Sequence, residues 1–208
     1  MIGLATASDI LLLVSLIGIA SNFIALLTVK RTKYLQNTFG ALCVSLSSSN
    51  LGICLIFFGW CSIKTLTSLH SHQELVINSE LGKKVGQIAL FLLYGSAYTH
   101  LAVSFNRMMS LMYPLKYLMM FDFQKGVALL AIVWMCAVIE IVPYFWSTDC
   151  YFFYKSEVAL WEFAETKCGE FLGFYFDFLP SVIIVVLILT MDIIALSKLR
   201  KNNAVGHI

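Results

Sequence analysis

The residues able to do chemistry are the ionisable groups that interrupt long apolar runs: His100, Glu140, Asp177 and Asp192, with Arg107 where one run ends. Burying a charge away from water costs free energy, so each such group is expected to serve binding or to be satisfied by neighbours. Catalysis is not indicated, because no nucleophile, base and orienting group occur together. His70, His72, Glu74 and Glu80 share one polar connector, but zinc needs three or four ligands in fixed tetrahedral geometry and a histidine pair on a loop is more simply solvated. No metal, cofactor or enzymatic activity is expected. What remains is recognition. Glu140 and Asp177 lie about two helical turns from one end of their runs, and Tyr94 and Tyr98 share a face by their i, i+4 spacing. These four are candidates for a small-molecule pocket, with structural hydrogen bonding to Ser, Tyr or backbone as the alternative use of the carboxyls.

The elements that must position them are set by composition. Of 208 residues, 60% are hydrophobic and 12% are charged, and mean hydropathy is +0.85, values that exclude a soluble domain. Five apolar stretches, about residues 10–29, 39–63, 83–109, 126–146 and 171–196, are each long enough to cross a bilayer as a helix. The predicted fold is all-α, a polytopic bundle of five spans forming one domain over 1–208. The first stretch is a span and not a cleaved signal peptide, because residues 1–9 carry no Lys or Arg. Within the spans, Asn22, Asn50 and His100 are expected to make polar contacts between helices.

Orientation follows from charge. Lys30, Arg31, Lys33, Arg107, Lys116, Lys125, Lys198, Arg200 and Lys201 gather on one side, with Asp122 as their only acid. The other side holds Lys64, Lys83, Lys84, Lys155 and Lys167 among Asp9, Glu74, Glu80, Asp149, Glu157, Glu162, Glu165 and Glu170. Cytoplasmic loops accumulate Lys and Arg, so the N-terminus is predicted outside and the C-terminus inside. The small net charge of +2 gives no reason to expect a nucleic-acid partner; the partner implied by composition is the lipid bilayer.

The stretch SFNRMMSLMYPLKY, residues 104–117, resembles the Asp-Arg-Tyr region of rhodopsin-like G-protein-coupled receptors. With LGKKVGQIALF before it and DCYFFY, WEFAETKCGEF and DIIALSKLR after it, the chain is most similar to the nematode serpentine receptor class x chemoreceptors. The resemblance implies five spans of an incomplete seven-helix receptor bundle, since after Lys201 the sequence reads NNAVGHI and the Trp-Pro and Asn-Pro signatures of spans six and seven do not follow. It implies a plasma-membrane chemoreceptor for an unknown small molecule, or a truncated form retained in the endoplasmic reticulum, with a heterotrimeric G protein as partner once the bundle is complete and a receptor oligomer as a further form. Asn106, Arg107 and Pro114 fall where this superfamily contacts the G protein. Asn106 replaces the acid that normally restrains the arginine, so Asp192 is expected to act as the latch instead. Asn50 replaces the usual sodium-binding aspartate, so no sodium site is expected, and Ala89 stands where amine receptors anchor their ligand's cation. Such receptors also tether the second outer loop to a cysteine atop span three; residues 81–86 contain none. Cys150 and Cys168 are then the candidate disulfide, with Cys61 able to compete. Two other functions suit the composition: a non-signalling five-span partner of full receptors, and a transporter or channel component, although no internal symmetry supports the latter.

Overall fold

The structure, a computed structural model, describes residues 2–70, 80–146 and 149–205. Helix α1 runs Ile2–Arg31 and α2 Thr38–Ile56. A π-helical turn, Phe57–Cys61, carries α2 directly into α3, Ser62–His70. Helix α4 is Glu80–Met112, followed by the short α5, Pro114–Met120, then α6, Phe123–Ile141, and one turn of α7, Pro143–Trp146. Strands β1, Phe152–Lys155, and β2, Leu160–Phe163, form an antiparallel hairpin. Helix α8, Lys167–Leu172, passes through a second π-helical turn, Gly173–Phe178, into α9, Leu179–Val205. Joined where continuous, these pieces give five helices long and apolar enough to cross a membrane among the described residues: Ala5–Arg31, Thr38–Thr67, Glu80–Met112, Gln124–Phe145 and Lys167–Asn202.

Local chemistry starts and stops the spans. Asn37 accepts from the Gly40 amide at 3.0 Å, Asp122 from Lys125 at 2.8 Å, and Thr166 from Gly169 at 3.0 Å, so α2, α6 and α8 each begin on a side chain that satisfies an otherwise orphaned N–H. Lys30 and Arg31 close α1, where cations complement the C-terminal end of the helix dipole. Pro143 breaks the fourth span at the first position of α7, where its missing N–H costs nothing. Before Pro180 the chain widens into the Gly173–Phe178 π turn, which adds a residue to the circuit and changes the face that the following side chains present.

Helix α4 is the hub and packs on α2, α6 and α9. Its most apolar window is 44% buried, against 6% for α1 and 11% for the last span. The outer faces present exposed Ile17, Ile132 and Ile193, surfaces suited to hydrocarbon and not to water. Close packing at the hub needs small residues: a Cβ on Gly95 would stand 2.8 Å from the Trp134 ring of α6.

Among the described residues, the hairpin is the one element outside the all-helical expectation. Phe152, Tyr154, Trp161 and Phe163 share one face: Phe152 stacks on Trp161 with centroids 5.1 Å apart, and Phe163 lies 6.1 Å from Tyr144 of α7. Lys155 and Glu162 pair at 3.1 Å on the opposite face, and that carboxylate holds the Lys155 ammonium above the ordinary lysine range. Three devices fix the hairpin to the bundle. Cys150 and Cys168 form a disulfide with Cα atoms 5.4 Å apart, which ties the start of the loop to α8 at the head of the last span. The Tyr154 and Thr65 hydroxyls share a hydrogen bond at 2.8 Å. Gly86 of α4 lies directly beneath the Phe152 carbonyl, where any side chain would collide with it. Cys61, the competing thiol, is free and buried.

Candidate functional site

Three polar side chains climb one face of α4 and each bridges to another element. Gln87 donates from Nε2 to the Tyr144 carbonyl at 2.8 Å. Tyr94 donates to Asp177 Oδ1 at 3.2 Å, and its hydroxyl lies 3.5 Å from that of Tyr144. Tyr98 donates to Glu140 Oε1. The four residues expected to line a pocket are thus brought together as two phenol–carboxyl pairs, one reaching α6 and one reaching the π turn within the last span. Asp177 reaches Tyr94 because it sits within that π turn. The pairing is incomplete: Glu140 Oε2 is buried and has no hydrogen-bond partner among the described residues. A cavity of about 210 Å3 borders Tyr94 and Glu140 between α4, α6 and α9.

Tyr144 and Gln87 belong to this cluster, and the sequence had not singled out Tyr144. The available signal was its i+4 spacing from Glu140, which places both on one side of the fourth span.

A second seam ties α4 to α2 and α6. Ser96 donates to Asn50 Oδ1 at 2.7 Å, the Ser45 and Thr99 hydroxyls lie 3.2 Å apart, and Trp134 donates from Nε1 to Ser45 at 3.1 Å. Asn50 therefore makes an interhelical contact, in a cluster of hydroxyls that leaves these buried groups satisfied.

At the opposite end, Asn106 is buried and accepts from Tyr117 of α5 at 3.4 Å, while its amide nitrogen has no partner among the described residues. Pro114 occupies the first turn of α5. Thr38 donates to the Phe121 and Asp122 carbonyls at 3.2 and 3.1 Å, so the start of α2 holds the turn that leads into α6. The amide of Lys125 holds the exposed Asp122 carboxyl below the ordinary aspartate range.

The sequence matches over residues 12–207 the family described as serpentine type 7TM GPCR chemoreceptor Srx. The chain belongs to the Srx chemoreceptor family. Among solved structures, the Srx chain is similar to squid rhodopsin, with a TM-score of 0.74 at 15% identity over 97% of this chain and 58% of that one. That degree of identity shows the fold alone, a helical membrane bundle, and the chain spans 58% of the rhodopsin's length. No curated protein matches the sequence.

Three expectations for the Srx chain need correction. Asn22 makes no hydrogen bond to a neighbouring helix among the described residues: its Nδ2 donates at 2.8 Å to the Gly18 carbonyl one turn earlier on α1, a local bond open to any amide at that spacing. His100 is neither buried nor bonded between helices among the described residues; it is exposed on α4 and lines the cavity. Arg107 and Asp192 form no ion pair among the described residues: the guanidinium lies 5.7 Å from the centroid of the Phe39 ring of α2. The latch is therefore absent from this structure. Of the connector residues weighed as metal ligands, His72 and Glu74 lie outside the described residues, and Glu80 pairs with Lys83 at 3.3 Å.

Proposed function

We propose that this Srx protein is a chemosensory receptor of the G-protein-coupled type, with its hairpin end facing outside at the plasma membrane. Its ligand is a small molecule bound against Tyr94 and Glu140. The observation that carries the proposal is the pair of phenol–carboxyl bridges, Tyr94 with Asp177 and Tyr98 with Glu140, joining three spans beside a cavity. A ligand that replaces either bridge changes how α6 and the last span sit on α4, which is how binding at one site biases the arrangement of a bundle. Arg107 serves the other end. It is exposed, it offers five donors in a planar fork, and neighbouring Asn106 supplies no charge to neutralise it. Asn106 and Pro114 shape the α4–α5 corner beside it.

The test is a G-protein readout in cells expressing the Srx receptor with the seven spans of its family, challenged with a panel of small molecules. Arg107→Ala should abolish the response with surface level unchanged, and Arg107→Lys should not restore it. Tyr94→Phe with Asp177→Asn should shift ligand sensitivity and leave coupling to the G protein intact. Full coupling by Arg107→Ala would remove its assigned role.

A further inference from the structure

The cavity beside Glu140 is mostly hydrocarbon. Leu93 and Ala97 of α4 and Pro180, Ile184, Val185 and Ile188 of α9 supply its walls, and Glu140, His100, Tyr94 and Ser181 supply its polar edge. Leu93 and Val185 are themselves exposed, so the space opens sideways between spans at the depth of the hydrocarbon. Lys and Arg are absent from its lining, and neither Glu140 nor Asp177 has an ion-pair partner among the described residues. Glu140 spends one oxygen on the Tyr98 hydroxyl and keeps the other buried, without a donor among the described residues.

An unpaired carboxyl oxygen beside an apolar slot calls for a ligand with a cationic donor at one end and hydrocarbon at the other. We infer that this cavity binds a small apolar amine, its ammonium on the Glu140 carboxyl and its chain between Ala97 and Ile184. A neutral alcohol supplies one hydrogen bond but no charge, and a carboxylate is repelled by Glu140. Size limits the ligand as well: at about 20–30 Å3 for each non-hydrogen atom and its hydrogens, the 210 Å3 space admits about seven to ten such atoms. This inference rests on the receptor proposal and names the chemistry of its ligand.

The probes are n-hexylamine, n-hexanol and n-hexanoate, added to the purified full chain in detergent micelles while thermal unfolding is followed. Hexylamine should raise the midpoint by about 5–10 °C at a hundredfold excess over its Kd. Hexanol and hexanoate should not, which controls for partition into the micelle. Glu140→Gln should weaken the amine effect by about ten- to a hundredfold in concentration. Ala97→Phe, which fills the slot and leaves the carboxyl in place, should abolish it. Equal stabilisation by hexanol, or an unchanged amine effect in Glu140→Gln or in Ala97→Phe, overturns the inference. If a ligand found in the cellular screen requires Tyr94 and Asp177 yet is not an amine and ignores Glu140, the receptor proposal stands and this inference fails.

Discussion

Tyr98→Phe removes one oxygen and leaves every apolar contact of the ring, so its cost isolates the bridge to Glu140. The hydroxyl is the only hydrogen-bond donor to this carboxyl among the described residues, and the other carboxyl oxygen already lacks one. A buried acceptor stripped of its donor costs about 1–3 kcal/mol. Glu140 and Tyr98 are both half-buried, which places the expected loss near the low end, about 1–2 kcal/mol, or a fall of about 2–8 °C in unfolding midpoint for a chain of this size. Removing both partners should cost little more than removing one, because Glu140→Leu takes away the group that the first change orphaned. The assay is a double-mutant cycle on the chain in micelles, with unfolding followed by circular dichroism. Coupling of about 1 kcal/mol or more is expected. Additive losses from Tyr98→Phe and Glu140→Leu would refute the bridge as a stabilising contact.

Three further outcomes follow from the loop and the caps. Cys150→Ser with Cys168→Ser should cost about 3 kcal/mol by the loop-closure estimate for an 18-residue separation, read as a lower unfolding midpoint, and non-reducing peptide mapping of the native chain should recover these two residues together. Gly86→Val should lift β1 from α4 because its side chain meets the Phe152 carbonyl, and cleavage by trypsin at Lys155 should accelerate while the spans remain folded. Asp122 has its carboxyl held below the ordinary range by the Lys125 amide. Its stabilisation of α6 is therefore present above the unfolded aspartate value and lost as pH falls through the lower folded one. Amide exchange at Lys125 should accelerate across that acid window in the native chain, and Asp122→Asn, which caps without titrating, should remove the pH dependence.

The spans were legible because each needs about 20 apolar residues in succession, a signal that survives any error in local propensity. Asn50 was legible for the same reason, since an amide at that depth must find a partner. Asn22 obeyed the same rule but met its need within its own helix, and sequence alone does not distinguish the two routes. The pocket candidates were visible as residue types; their pairing was not, because the π turn at Gly173–Phe178 shifts the face of Asp177 and no residue in that apolar run announces an inserted one. The hairpin was hidden by its turn. Ala159 takes the left-handed position, with φ 54°, where Gly or Asn would have signalled a reversal. Without that sign, FFYK and LWEF read as loop. The absent Arg107–Asp192 contact shows the limit of matching residues by depth, since equal depth on two helices does not fix which faces meet.

The claim on which the account turns is that the hairpin end faces outside and the Arg107 end faces the cytoplasm. The chain has no native Asn-x-Ser/Thr sequence, so an engineered glycosylation acceptor reports its own side of the membrane without background. An acceptor placed in the turn at 156–159 should be modified in cells, and one placed beside Lys116 should not. Modification beside Lys116 with none in the hairpin turn would invert the bundle and contradict the assignment of sensing and coupling to its two ends.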